Sequence, residues 1–186
     1  YIELKTIQTL DEIDVTKPCI DMEDEGYNCE WSQELKIKDS FDEYLNAWII
    51  IHVLKNKFGW SKDEPGFIFN MSVGYNLEGI KSKRMQTFID SLIDASKNPS
   101  FKIYQDKLLK FIESDRFTKL FSLKFAQSLN SKKDLTEGIK NISPNIFNSV
   151  TLSTMHGCPA DEIESIAKYL LEEKKLHTYI KLNPTL

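Results

Sequence analysis

The chain has 186 residues, with 24 Lys+Arg against 28 Asp+Glu, and so carries a formal charge of −4. That balance excludes a strongly basic nucleic-acid binder, because neutralising phosphates needs a surplus of cations. With 41% hydrophobic and 28% charged residues, and only 7 Gly and 6 Pro, the composition is that of a folded domain rather than a disordered or collagen-like chain.

The first apolar run, Tyr1 to Thr9, reads as a strand. The acidic stretch Asp21 to Glu25 reads as a solvated loop, since no EF-hand spacing accompanies it. Phe41 to Phe58 places Phe41, Tyr44, Leu45, Trp48, Ile51, His52 and Lys55 at helical steps, and Ser40 with Glu43 has the capping-box form. Its longest apolar run, Ala47 to Ile51, stops at His52, far short of the ~20 residues that span a bilayer. A second strand, 66–73, is entered through Glu64-Pro65-Gly66, a turn cluster. A helix over Leu77 to Ala95 puts Ile80, Met85, Phe88, Ile89, Leu92 and Ile93 on one stripe. Residues 101–130 read as two short helices broken near Ser114-Asp115. A third strand follows at 149–154, then a helix from Asp161 to Lys174, acidic at its start and basic at its end as the helix dipole favours. The last strand is 178–182.

Short, continuously apolar strands alternating with helices imply a parallel sheet with right-handed crossovers. The fold class is α/β, and four strands make half of a (β/α)8 TIM barrel, which typically needs about 250 residues. A helical insertion is expected at about 97–148. A chain that opens and closes in strands is expected to be a fragment, with 1–186 one piece of the barrel domain. Cys19, Cys29 and Cys158 are odd in number and lack zinc spacing, so reduced thiols in a cytoplasmic protein are expected. Trp31, Trp48 and Trp60 read as core or loop anchors, and His52 and His177 as ordinary helix and loop positions.

In such folds chemistry gathers at the C-terminal ends of the strands. Four polar clusters fall there. Lys5 and Thr6 sit in the first strand, where a lysine among apolar neighbours either meets an anion or an electron-rich ligand or faces outward at the strand end. Asn70 and Ser72-Val73-Gly74-Tyr75-Asn76 follow the second. Small residues with amides can hydrogen-bond a planar heterocycle at close range, although they also make turns. Ser153-Thr154-Met155-His156-Gly157-Cys158-Pro159 follows the third. His156 could exchange protons near neutrality and Cys158 could act as proton donor or nucleophile, or the loop could be a tight turn with a structural thiol. Lys181 and Asn183 close the fourth. Two strand lysines, Lys5 and Lys181, point to one anionic or electron-accepting ligand between the strand ends.

At these clusters the sequence resembles a known family. Glu3-Leu4-Lys5-Thr6-Ile7-Gln8, Phe69 to Ile80, Thr151 to Pro159 and Ile180 to Thr185 resemble the bacterial family described as "putative selenate reductase iron–sulfur subunit", of YgfK type. Lys17 to Asp21 and Asn28 to Ser32 match it as well. The resemblance covers almost the whole chain and is weakest over about 100–148. It implies an N-terminal part similar to the FMN-binding barrel of dihydropyrimidine and dihydroorotate dehydrogenases. It also implies a remainder carrying 4Fe-4S clusters, FAD and NAD(P)H, as in the small subunit of glutamate synthase.

Carried over by position, the resemblance makes Lys5 and Lys181 flavin contacts, with Thr6, Asn76 and Ser153 beside them. Asn76 and Asn183 become substrate contacts. The third motif departs from the pyrimidine-enzyme pattern Asn-x-Ser-Cys-Pro. Ser153 stands at the Asn position, and the catalytic Cys position falls on His156, or on Cys158 if the loop slips by two. The expected function is therefore one part of a multi-cofactor flavin and iron–sulfur oxidoreductase. Its barrel would pass electrons through FMN to a small-molecule or oxyanion acceptor, beside other oxidoreductase subunits or domains. The alternatives are a strict dihydropyrimidine or dihydroorotate dehydrogenase and a non-catalytic barrel scaffold in an electron-transfer complex. Because barrel phosphate sites are built after strands 7–8, the isolated chain is expected to be inactive and to bind FMN weakly or not at all.

Overall fold

The computed structural model describes residues 2–4, 20–21, 27–28, 35–58, 66–74, 76–121, 132–153 and 158–182. Among them, four strands form one sheet in the order β1-β4-β5-β6: β1 (Ile2–Glu3), β4 (Phe69–Val73), β5 (Phe147–Ser153) and β6 (His177–Lys181). All three pairings are parallel. A second, two-stranded antiparallel sheet pairs β2 (Ile20–Asp21) with β3 (Tyr27–Asn28). Its two-residue strands are too short to leave a periodic signal, and the sequence reading has no element there. The rest of the expected first strand lies outside the described residues.

Helices supply the parallel crossovers. They are α1 (Ile37–Phe58), α2 (Leu77–Lys81), α3 (Lys83–Ile93), α4 (Pro99–Glu113), α5 (Asp115–Phe121), α6 (Lys132–Lys140) and α7 (Ile163–Lys168). A π-helical turn, Tyr169–Glu173, continues α7.

Three boundaries differ from the sequence expectation, each for a local reason. Helix α1 starts at Ile37, because Ile37 is buried in the core, and Ser40 is an interior residue whose N–H bonds the Lys36 carbonyl at 2.9 Å. The apparent capping box is therefore not the cap. The single helix expected over 77–95 breaks at Ser82, whose hydroxyl accepts from the Met85 N–H at 3.4 Å and caps α3. The expected 161–174 helix begins instead with turns and reaches α-geometry at Ile163. The expected break near Ser114 is present: its hydroxyl bonds the Phe111 carbonyl at 2.6 Å as α4 ends, and accepts from the Phe117 N–H of α5 at 3.2 Å.

The sheet has two unlike faces. Phe69, Met71 and Val73 of β4, with Val150 and Leu152 of β5, are buried in the same core as the helices. Trp48 of α1 packs edge-on to Phe69 with ring centroids 5.3 Å apart, and donates its indole N–H to the Ser143 carbonyl at 2.8 Å. Burying side chains of this size contributes roughly 1.5–3 kcal/mol each. The other face carries Asn70, Ser72, Ser149 and Thr151, all buried. A register shift between Phe69 and Met71 opposite Phe147 and Val150 puts one extra residue into β5. The strands differ in burial: all five residues of β4 are buried, whereas four of the five in β6 are exposed. Burial on both faces thus holds for β4 but not for β6, which is an edge of the sheet.

Candidate functional site

The parallel sheet lines up the C-terminal ends of its strands. Val73 ends β4, Ser153 ends β5, and Lys181 ends β6. Ser153 and Lys181 are Cα partners in the β5–β6 ladder, one strand spacing or ~4.8 Å apart in ideal parallel geometry. Two residues the sequence puts at separate strand ends are thus neighbours on one edge, with Lys181 exposed.

Two hydrogen bonds tie the loop after β4 to the segment after β5. The Cys158 thiol lies 3.8 Å from the Val73 carbonyl, with Cys158 only 5% exposed. The Leu77 N–H donates to the Glu162 carboxylate at 2.6 Å. That carboxylate satisfies one of the N–H groups at the start of α2 that lack an intrahelical partner. Asn76 caps the same helix, its side-chain oxygen accepting from the Gly79 N–H at 2.8 Å. The capping bond uses the oxygen of the Asn76 amide. Its NH2 group is exposed at the sheet edge and has no partner among the described residues.

Behind this rim, the Asn70 amide N–H donates to the Thr151 hydroxyl at 2.6 Å across β4 and β5. The Asn70 side-chain oxygen and the Ser149 hydroxyl are buried with no hydrogen-bond partner among the described residues. Such atoms are rare in folded proteins because each lost bond to water is uncompensated. The polar sheet face therefore retains acceptor and donor capacity.

The outer layer is fastened separately. Tyr169 donates its hydroxyl proton to Gln86 at 2.7 Å, and the Lys81 ammonium sits 4.4 Å from the centre of its ring. Lys174 pairs with Asp90 at 2.7 Å. Burial holds the Tyr169 hydroxyl above the usual tyrosine range.

Of the expected site residues, Ser153 and Lys181 pair across the ladder, Cys158 reaches the Val73 carbonyl and Asn76 caps α2, while Lys5, Thr6, His156 and Asn183 lie outside the described residues. Glu162 was visible in the sequence only as part of an acidic helix start, and its bond across 85 positions to Leu77 has no local signature. Among the described residues no group of His, Cys, Asp or Glu could hold a metal ion. No described helix is long and apolar enough to cross a membrane.

Comparison with known proteins decides the family. The model of "Oxidoreductase YgfK, N-terminal TIM-barrel domain" matches residues 1–186. The chain belongs to this family. Two relatives described as "Putative oxidoreductase YgfK", from Escherichia coli strain K12 and from Escherichia coli O157:H7, are each 49% identical over 187 residues. The match covers 100% of this chain and 18% of each relative, so the chain spans under a fifth of their length. No solved structure matches. The parallel sheet with its helices fits a partial α/β barrel, as the family description has it, and the relatives' description is that of an oxidoreductase.

Proposed function

We propose that this chain forms one part of the redox site of a YgfK-family oxidoreductase, with the C-terminal edge of its sheet facing an FMN. The observation that carries this reading is the pairing of Ser153 with Lys181 beside the rim of Asn76 and Cys158. The residues present fit such a group. A lysine, an amide NH2 and the Asn70 oxygen, which has no partner among the described residues, suit a planar heterocycle bearing both carbonyl and N–H groups. When bound, FMN would supply the capacity to take up and release electrons.

The chain's own residues then have distinct tasks. The Lys181 cation favours negative charge developing on a ring carbonyl beside it. The Asn76 NH2 is available to orient ring or substrate while its oxygen holds α2 in place. The Cys158 thiol is turned to the Val73 carbonyl, which supports an anchoring task for it and leaves His156 as the proton donor. Electrons would arrive from the 4Fe-4S, FAD and NAD(P)H module of the longer polypeptide and leave to a small-molecule or oxyanion acceptor.

The test uses the full-length parent protein. Its visible spectrum should show flavin, and Lys181→Ala should weaken FMN retention about tenfold, equivalent to ~1.4 kcal/mol, and make the reduced form harder to reach. Lys181→Arg should keep most of both. A parent that stays colourless after reconstitution, or a Lys181→Ala variant with unchanged occupancy and potential, would refute the reading. Partner binding without flavin would point to a scaffold instead.

A further inference from the structure

Side chains alternate across a strand, and partners in a parallel ladder share a face. The face turned away from the helical core carries Asn70 and Ser72 of β4 beside Ser149 and Thr151 of β5. The next ladder extends it, because Ser149 pairs with His177, Thr151 with Tyr179 and Ser153 with Lys181. His177, Tyr179 and Lys181 of β6 therefore continue the same face. The sequence reads His177 as a loop position, whereas the ladder makes it the first residue of β6. In a barrel whose helices lie outside, this face is the inward one.

Barrel interiors are ordinarily filled by layers of bulky, branched aliphatic side chains. None of these inward residues is aliphatic. Asn70 and Ser149 are 0% and 4% exposed, yet the Asn70 oxygen and the Ser149 hydroxyl have no hydrogen-bond partner among the described residues. Buried polar atoms of that kind are where internal water is held, each molecule making about three hydrogen bonds. Inward neighbours on one strand stand ~6.6 Å apart, two residues at ~3.3 Å each. A direct bond between two hydroxyls needs ~2.8 Å, and one water bonded on either side spans about twice that. The spacing suits hydroxyls alternating with water, an arrangement that passes protons from one oxygen to the next.

We propose that this inward face carries a file of water that conducts protons from His177, at the N-terminal end of the strands, to the rim at Lys181. The path runs ~13 Å along β6, four residues at ~3.3 Å each. It rests on the redox reading of that rim. Histidine is the side chain suited to passing protons near neutral pH, and His177 is exposed. Its imidazole hands a proton to the water held at Ser149 and Asn70 and regains one from solvent. Water bridged by Thr151 and Tyr179 passes the proton on to the donor at the rim. An acceptor that takes two electrons there together with two protons thus draws both protons from solvent, and the protein ends unchanged.

The full-length parent carries the test. Its flavin absorbance is followed after the protein is reduced with dithionite and mixed with 1,4-benzoquinone, which needs two protons to become the hydroquinone. His177→Phe and Ser149→Val should each slow reoxidation roughly tenfold or more at unchanged flavin occupancy. The solvent deuterium isotope effect should rise in both, and added imidazole should restore most of the rate to His177→Phe but none to Ser149→Val. A crystal structure of the parent should show ordered water bonded to the Ser149 hydroxyl and the Asn70 oxygen. Flavin present with rates and isotope effects unchanged in both variants would overturn the path alone, as would protein side chains filling both hydrogen-bonding positions. A parent without flavin would overturn the redox reading and the path with it.

Discussion

A thiol in a loop at a strand end invites a catalytic role, but the surroundings of Cys158 decide how reactive it can be. The side chain is 5% exposed and faces a carbonyl, and a buried thiol is shielded from reagents and substrates alike. Native full-length parent treated with a maleimide and mapped by mass spectrometry should show Cys158 unmodified. Cys158→Ala should retain most oxidoreductase activity while destabilising the loop after β4 by about 1 kcal/mol, read as faster hydrogen exchange there. Rapid labelling, or loss of turnover with unchanged exchange, would return the thiol to the chemistry. The Asn70–Thr151 bond allows a different measurement. Thr151→Val keeps the shape but removes the one hydrogen bond the Asn70 side chain makes among the described residues. The cost should be about 1–3 kcal/mol, seen as faster exchange across β4 and β5. Tyr169 adds a pH dependence. Its hydroxyl pKa is raised by burial, so the associated stability is complete below about pH 10 and is lost as pH rises through the higher folded value. Tyr169→Phe should therefore lose the Gln86 bond at neutral pH and show a shallower alkaline decline in melting temperature than the wild-type protein.

At the scale of elements, the turn joining the π-helical turn to β6 contains the one non-glycine residue with positive φ among the described residues, Lys175 at 58°. The chain there reverses through bonds from Lys174 N–H to the Tyr169 carbonyl and from Leu176 N–H to the Leu170 carbonyl. A left-handed residue with a Cβ costs roughly 1 kcal/mol, so Lys175→Gly should leave stability equal or raise it by up to about 1 kcal/mol, measured as slower exchange in β6. Loss of stability would show that the Lys175 side chain contributes more than its backbone costs. The sequence contained the existence of most of these elements, because Phe69-Asn70-Met71-Ser72-Val73 and the 3.6-residue stripe of α1 are local patterns. It did not contain the break at Ser82, since Ile80 and Met85 continue one apolar stripe across it and only the Ser82–Met85 cap marks the boundary. Helix α6 was folded into a polar insertion because only Leu135 and Ile139 of its nine residues reach the core. The site was legible as four clusters. The neighbourhood of those the structure describes was not, because the Ser153–Lys181 pairing and the Glu162–Leu77 bond depend on register and on contacts far apart in the chain.

At the scale of the whole molecule, the sheet order leaves β6 as an edge, and this edge is apolar. Tyr179 is 53% exposed, Ile180 45% and Leu182 81%. An exposed strand with unpaired backbone groups and large apolar side chains is a template for association unless something covers it. In a closed barrel the next parallel strand does so, and the curated relatives are several times longer than this chain. The same substitution should therefore act in opposite directions in two settings. In the isolated 186-residue chain, Ile180→Lys places a charge on the open edge and should shift the protein from oligomers towards monomer in light scattering. In the full-length parent, the same lysine would be buried against a neighbouring strand or helix, and soluble yield and melting temperature should both fall. If Ile180→Lys were tolerated equally well in both, β6 would remain a free edge in the parent. The Lys181 side of the proposed flavin site would then have no neighbouring strand to complete it.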